Sequence, residues 1–352
     1  MKNKKLIFVC VLGVLLLSSF NAYCETAEEH YSRGIEYSKK GEFNKAIPEF
    51  DKLIELSPKN CVAYYCRGNA YFNINNFSKA ISDYSKAIEI EPNYAGLYVG
   101  RGDVYYKIGN LDQTIADYNK AIEISPELAI AYYNRGYAYG EKGNYDQAIS
   151  DYNKAIEINP NDASTYVNRG NIYLRKNKYD DAILDLTKAI EIDPGHASAY
   201  INRGYAYSKK SNYDQAISDY NKAIEINPND SKSYACRAYA YCKKGNYNQA
   251  ISDSNKAIEI NPGDVAGYDA RGVTYAEKGN FTQAISDYNK VINIDPKHSV
   301  TYYNRGLAYY RTAQYDKAFS DYTIAINLKP NKDVIMNLLR MSHQGIHLIQ
   351  TI

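Results

Sequence analysis

The chain has 352 residues, and its 42 lysines and arginines nearly balance its 40 aspartates and glutamates, which leaves a formal net charge of +2. A chain of this length normally forms two or three domains. A near-neutral protein has no electrostatic basis for binding nucleic acid or anionic membranes, so we exclude these as its main partners.

Residues 1–24 have the order of a secretory signal. Three lysines precede an apolar run over residues 6–17, and small and polar residues then follow up to Cys24. The run is shorter than the about 20 residues that a membrane-spanning helix needs. We therefore expect cleavage after Cys24 and export to the periplasm or the extracellular space. An uncleaved signal anchor is the alternative, and it would be the only contact with a membrane.

Residues 25–330 contain nine units that repeat every 34 residues without an insertion or deletion. An arginine–glycine pair and a proline recur at this spacing; in the fourth unit they are Arg135, Gly136 and Pro160. The units begin at residues 27, 61, 95, 129, 163, 197, 231, 265 and 299. A period of this length predicts one elongated repeat array, in which each unit buries its apolar face against its neighbours.

Each unit is predicted to form two helices. In the fourth unit, apolar residues recur at helical spacing on both sides of a break at Asn144. Asn144 is predicted to cap the second helix, with Gln147 completing a capping box. Pro160 ends that helix, and Asp162 is predicted to cap the first helix of the next unit.

This pattern resembles the tetratricopeptide repeat. The residues of the fourth unit that match it are Tyr132, Gly136, Tyr139, Ala148, Tyr152, Ala155 and Pro160. The chain departs from the pattern at Leu186 and Ser254, which replace the second-helix aromatic residue, and at Ala238, which replaces the glycine. The resemblance implies an all-α fold, a right-handed superhelical solenoid of antiparallel helix pairs.

An arginine and an acid recur together in all nine units, sixteen residues apart, as Arg169 and Asp185 do. We interpret them as an ion pair that clamps the two helices of a unit or neighbouring units, because arginine suits bidentate pairing. A ladder of arginines that faces a ligand is the alternative interpretation.

The resemblance also implies that the first helices line a concave groove, so we expect binding residues where these helices vary. Asparagines at one such position are expected to bond the backbone of an extended peptide, as similar asparagines do in peptide-binding members of the family; they are Asn134, Asn168, Asn202 and Asn304. Tyrosines are predicted around them; they are Tyr65, Tyr133, Tyr137, Tyr205, Tyr239 and Tyr303. Basic residues are predicted at one rim; they are Lys107, Arg175, Lys209 and Lys243. The second-helix Asn221 is predicted to face outward.

Motifs for catalysis or for metal binding are absent from the sequence. It contains no HExxH, no glycine-rich phosphate loop and no GxSxG, and its carboxylates recur with the period rather than once. His343 and His347 could share a helix face but have no third ligand beside them. We predict no enzyme activity, no cofactor and no metal site. Four cysteines beyond the signal are expected to be free thiols in small positions; they are Cys61, Cys66, Cys236 and Cys242.

Residues 331–352 lie beyond the last repeat and are predicted to form a capping helix. Its apolar side chains would cover the ninth repeat or mediate self-association. We predict an exported, non-enzymatic protein that binds protein or peptide segments in its groove, as an adaptor or assembly scaffold. A self-associating structural protein and a cell-wall or carbohydrate binder remain the alternatives.

Overall fold

The structure, a computed structural model, describes residues 26–329, which are helical throughout apart from short connections. Eighteen helices form nine consecutive pairs, and residues 26–329 contain no strand. They are α1 (Ala27–Lys39), α2 (Phe43–Leu56), α3 (Cys61–Asn73), α4 (Phe77–Ile90), α5 (Ala95–Lys107), α6 (Leu111–Ile124), α7 (Ala129–Glu141), α8 (Tyr145–Ile158), α9 (Ala163–Arg175), α10 (Tyr179–Ile192), α11 (Ala197–Lys209), α12 (Tyr213–Ile226), α13 (Ser231–Lys243), α14 (Tyr247–Ile260), α15 (Val265–Glu277), α16 (Phe281–Ile294), α17 (Ser299–Arg311) and α18 (Tyr315–Leu328). The predicted all-α fold of paired helices is confirmed.

The chain divides after Pro160 into two compact units, with four described repeats in the first and five in the second. In each unit, the two helices of a repeat pack together, and the second helix also contacts the first helix of the next repeat. First helices of successive repeats contact one another as well. We call the side that they form the first-helix face: α1, α3, α5 and α7 in the first unit, and α9, α11, α13, α15 and α17 in the second.

A glycine lets the two helices of most repeats approach closely. A Cβ atom added to Gly272 would lie 2.7 Å from a ring carbon of Tyr288, which is almost fully buried. In the seventh repeat, Ala238 replaces the glycine and Ser254 replaces the tyrosine, and both residues are buried. The Ser254 hydroxyl donates to the Ala250 carbonyl at 2.8 Å. The smaller side chain on the second helix therefore makes room for the added methyl group.

The recurring arginine joins three elements. Arg101 donates from Nε and Nη2 to the two carboxylate oxygens of Asp117, at 2.9 and 2.7 Å, across the repeat. Its Nη1 donates to Ser85 of the preceding repeat at 3.0 Å, and its guanidinium lies 5.9 Å from the ring centre of Tyr98. Arg101 thus clamps the two helices of its repeat through the ion pair and joins them to the preceding repeat through the bond to Ser85. The interpretation as arginines that face a ligand is wrong, because Nε, Nη1 and Nη2 each already donate a hydrogen bond within the protein.

The same clamp recurs along both units. In each case the arginine Nη1 donates to a side-chain oxygen of the preceding repeat. The pairs are Arg67 with Asp51, Arg135 with Asn119, Arg203 with Thr187, Arg237 with Asn221, Arg271 with Asn255 and Arg305 with Asn289. Asn221, which is predicted to face outward, is partly buried, and its side-chain oxygen accepts a hydrogen bond from Arg237 at 2.6 Å. Spacing alone places such a residue on the outer half of a helix but does not give its partner.

The predicted helix caps are present in part. Asp162 accepts a hydrogen bond from the backbone of Ser164, as expected. Asn144 makes no side-chain capping bond, so its predicted capping box is wrong. The equivalent Asn76 and Asn110 cap their helices only through long bonds of 3.4 and 3.2 Å. Asn280 caps its helix in the same way at 3.3 Å, and the other described second helices have no side-chain cap bond. Packing against neighbouring helices therefore does more than capping to fix where the second helices begin.

The predicted signal over residues 1–24 and the predicted capping helix over 331–352, with His343 and His347, lie outside the described residues. Within residues 26–329, every helix is too short or too polar to cross a membrane.

Candidate functional site

Two of the predicted asparagines join neighbouring repeats on the first-helix face. Asn134 donates from Nδ2 to Asp103 at 3.1 Å, and Asn202 donates in the same way to Asn171 at 2.7 Å. Asn168 and Asn304 occupy the equivalent position and are partly buried. Asn134 and Asn202 each use one amide donor within the protein, so a peptide would find fewer donors than the sequence predicts. Their contact with a peptide stays a prediction.

The predicted tyrosines fall into two groups. Tyr65, Tyr133 and Tyr303 are partly buried against second-helix rings, with ring centres 5.8–6.1 Å apart. The others are more exposed: Tyr137 by 39%, Tyr205 by 41% and Tyr239 by 43%. Only this second group presents large aromatic area to a partner.

The predicted basic residues lie exposed in the last turn of their first helices, where a cation interacts favourably with the helix dipole; they are Lys107, Arg175, Lys209 and Lys243. Lys209 places its ammonium 5.2 Å from the ring centre of Tyr205, and Lys243 does the same over Tyr239 at 5.5 Å. Lys243 also pairs with Glu277 at 3.5 Å.

The first-helix face of the first unit contains a cavity of about 370 Å³ between repeats 2 and 4. We call it cavity 1; its lining includes Tyr65, Phe72, Tyr94, Gly96, Asp103 and Ile130. The Asp103 carboxylate accepts hydrogen bonds from Tyr118 at 2.6 Å and from Asn134. Burial raises the pKa of Asp103, and these two bonds oppose the rise. The exposed rings and aliphatic chains at the mouth make this cavity mainly apolar.

The second unit has a larger cavity, of about 480 Å³, between repeats 6 and 8. We call it cavity 2; its lining includes Tyr205, Ser208, Lys209, Tyr239, Ala266 and Asp269. Burial raises the pKa of Asp269, against the opposing effects of nearby His298 and of a hydrogen bond from Thr301. This cavity combines aromatic walls with one carboxylate and one ammonium group.

Both cavities occur where the first helix carries two small residues four positions apart. Gly96 and Gly100 do so in the third repeat, and Ala266 and Ala270 in the eighth. Other repeats carry larger side chains at one or both positions, such as Ile130 with Asn134. The sequence prediction missed the cavities, although this local break in the period was a signal that could have located them.

Reactive groups are not assembled on these faces. Within residues 26–329, no three histidine, cysteine or acidic residues are grouped as metal ligands would be. Burial raises the pKa of Cys66 and of Cys236 to about 11, so both thiols stay protonated and weakly nucleophilic at neutral pH. The described cysteines form no disulfides.

Sequence profiles of known families match most of the chain. Profiles described as tetratricopeptide repeat match residues 129–162, 151–183, 197–230, 219–252 and 300–332. A further profile described as TPR repeat matches residues 34–75, 68–109, 102–143, 170–211 and 272–312. None of the curated proteins matches the chain.

Two solved structures have the same fold. A tetratricopeptide repeat protein from Parabacteroides merdae is 22% identical with a TM-score of 0.62, and the match covers 71% of this chain and 98% of that one. A chain of the APC/C hetero-tetramer Cut9–Hcn1 is 18% identical with a TM-score of 0.55, and the match covers 96% of this chain and 82% of that one. At these identities the likeness concerns the fold alone.

Proposed function

The chain belongs to the tetratricopeptide repeat family, and from this premise we propose that its first-helix faces bind segments of a partner protein. Its fold is that of protein-interaction adaptors and scaffolds. The observation that carries the proposal is the pair of cavities on these faces, at repeats 2–4 and 6–8. Concave sites with aromatic walls and few polar groups suit the capture of side chains from a peptide. The role is that of a non-enzymatic adaptor or assembly scaffold.

Filling both cavities should strongly weaken capture of the partner. We expect Gly96→Val with Ala266→Val to weaken binding at least about tenfold, because the new side chains occupy the space of the partner's anchors. Valine already stands at this position in Val62 and Val300, and the three atoms nearest to an added Cβ on Gly96 all belong to the exposed ring of Tyr94. The helices should therefore stay intact.

The measurement is affinity capture from an extract of the source organism with the full tagged chain, followed by mass spectrometry and a binding titration. Lys222→Ala with Glu225→Ala is the matched control, since this exposed pair lies on a second helix. Loss of a discrete partner only in the filled variant supports the proposal. A partner that binds the filled variant as tightly as the parent places recognition on another surface.

We also propose that the protein is exported, on the order of basic, apolar and small residues over residues 1–24. The mature chain should then begin at Glu25 or within a few residues of it. N-terminal sequencing of the protein from culture medium or periplasm checks this. An intact Met1 on soluble cytoplasmic protein would contradict it.

A further inference from the structure

Cavity 2 contains a carboxylate with too few hydrogen-bond donors. Asp269 accepts one bond within residues 26–329, from the Thr301 hydroxyl at a long 3.3 Å. The same hydroxyl also shares a hydrogen bond of 2.6 Å with Nδ1 of His298, in which the tautomer of His298 decides which group donates. A partly buried carboxylate normally accepts several bonds or pairs with a cation, because desolvation otherwise penalises its charge.

Two further oxygens around the cavity lack donors. Within residues 26–329, only Ser208 Oγ and Asp264 Oδ2 are buried side-chain atoms without a hydrogen-bond partner. Ser208 lines cavity 2, where the Tyr220 hydroxyl lies beside it without completing a bond of good geometry. Asp264 caps the helix that carries Asp269 and acts electrostatically on Cys236, which also lines the cavity. Cavity 2 therefore presents one carboxylate with a single long hydrogen bond, that of Asp269, to whatever enters it, and Ser208 with its unpartnered oxygen belongs to the same lining.

The walls of cavity 2 suit a flat cation. Tyr205 and Tyr239 stand at the same position of consecutive repeats, and both rings are more than one third exposed. A guanidinium group stacks on tyrosine faces and donates up to five hydrogen bonds in a plane, whereas an ammonium group is a compact, strongly hydrated charge. Arginine is thus the natural side chain that matches the aromatic walls and the acceptors together.

We propose that cavity 2 receives one arginine side chain of the partner segment, with its guanidinium paired to Asp269 and stacked against Tyr205 and Tyr239. This rests on the proposed function, because the arginine is an anchor of the segment that the first-helix face binds. The volume of about 480 Å³ lies in the range of small-ligand sites and accommodates the side chain with part of its backbone.

Among the described residues, Lys209 is the one cation that lines cavity 2. Its ammonium lies against the Tyr205 ring, in a side chain that is exposed at the end of α11. An exposed charge is screened by salt and can swing into solvent, so it weakens arginine binding without preventing it. Removing this charge by Lys209→Gln should therefore tighten arginine binding about two- to fivefold, the reverse of the effect expected at an acid-binding site.

The test titrates the full chain with N-acetyl-arginine methylamide and with the citrulline analogue, which has the same shape and no charge, by ligand-observed NMR. We expect the arginine probe to bind at least about tenfold more tightly than the citrulline probe. Asp269→Asn should reduce arginine affinity to the citrulline level, and Ala266→Val should block both probes. Glu259→Gln removes an exposed acid on α14 and should change nothing. Circular dichroism of each variant establishes that the helices remain folded.

Equal affinity for the two probes, no binding of the arginine probe, or an unchanged affinity in Asp269→Asn would each overturn the arginine site. Such a result would not decide the proposed function, which the capture experiment with the filled variant tests separately. The opposite outcome is also distinguishable. If arginine binding depends on Asp269 but the filled variant still captures the partner, cavity 2 is an arginine site that takes no part in binding the partner protein.

Discussion

Replacement of Arg101 by leucine should destabilise the first unit by about 3–5 kcal/mol, because the Asp117 carboxylate would stay buried without its cation. The two side chains are 20% and 7% exposed and pair in bidentate geometry. The hydrogen bond to Asp117 raises the pKa of Arg101 above its ordinary value, so the guanidinium stays charged at any working pH. The mutation also removes the inter-repeat bond to Ser85.

The double variant Arg101→Leu with Asp117→Leu should recover part of this loss, since an apolar pair of similar volume leaves no unpaired charge. Urea denaturation gives the overall change, and hydrogen exchange in α5 and α6 locates it, because repeat arrays do not always unfold in one step. Lys120→Met is the control: it breaks an exposed pair with Glu123 and should leave stability almost unchanged. Strictly additive losses in the double variant would contradict a direct interaction between Arg101 and Asp117.

The second large effect is expected in the core of the eighth repeat. Tyr288→Ser should destabilise the second unit by about 3–5 kcal/mol, since it empties the space of an almost fully buried ring. Gly272→Ala alone should cost about 1–3 kcal/mol, because its methyl group would lie 2.7 Å from that ring.

The seventh repeat supplies the matched design, since Ala238 and Ser254 occupy the two equivalent positions. The double variant Gly272→Ala with Tyr288→Ser should be less damaged than the sum of the single changes. Thermal and urea unfolding of the three variants check this. A double variant that loses as much as the sum would show that the two positions do not compensate each other.

Only part of what concerns the candidate binding residues could be predicted from the sequence. The resemblance located the first-helix face and its exposed tyrosines, because the helical period fixes which positions share a face. It did not indicate that Asn134 and Asn202 already bond to Asp103 and Asn171, since those partners lie in the preceding repeat. Asp269 was not selected as a site residue, because its one long hydrogen bond comes from Thr301 in the following repeat, a contact that the sequence does not show.

The sequence by itself determined the family, the number of repeats and the alternation of helices, because a 34-residue period fixes local helix lengths and nearest-neighbour contacts. Only the tertiary structure decided what each small residue does. The ring of Tyr288 occupies the space beside Gly272, whereas Gly96 lines cavity 1, and the atoms nearest to it belong to the exposed ring of Tyr94. The same residue type thus gives close packing in one place and an opening in another, since the outcome depends on the side chain that faces it.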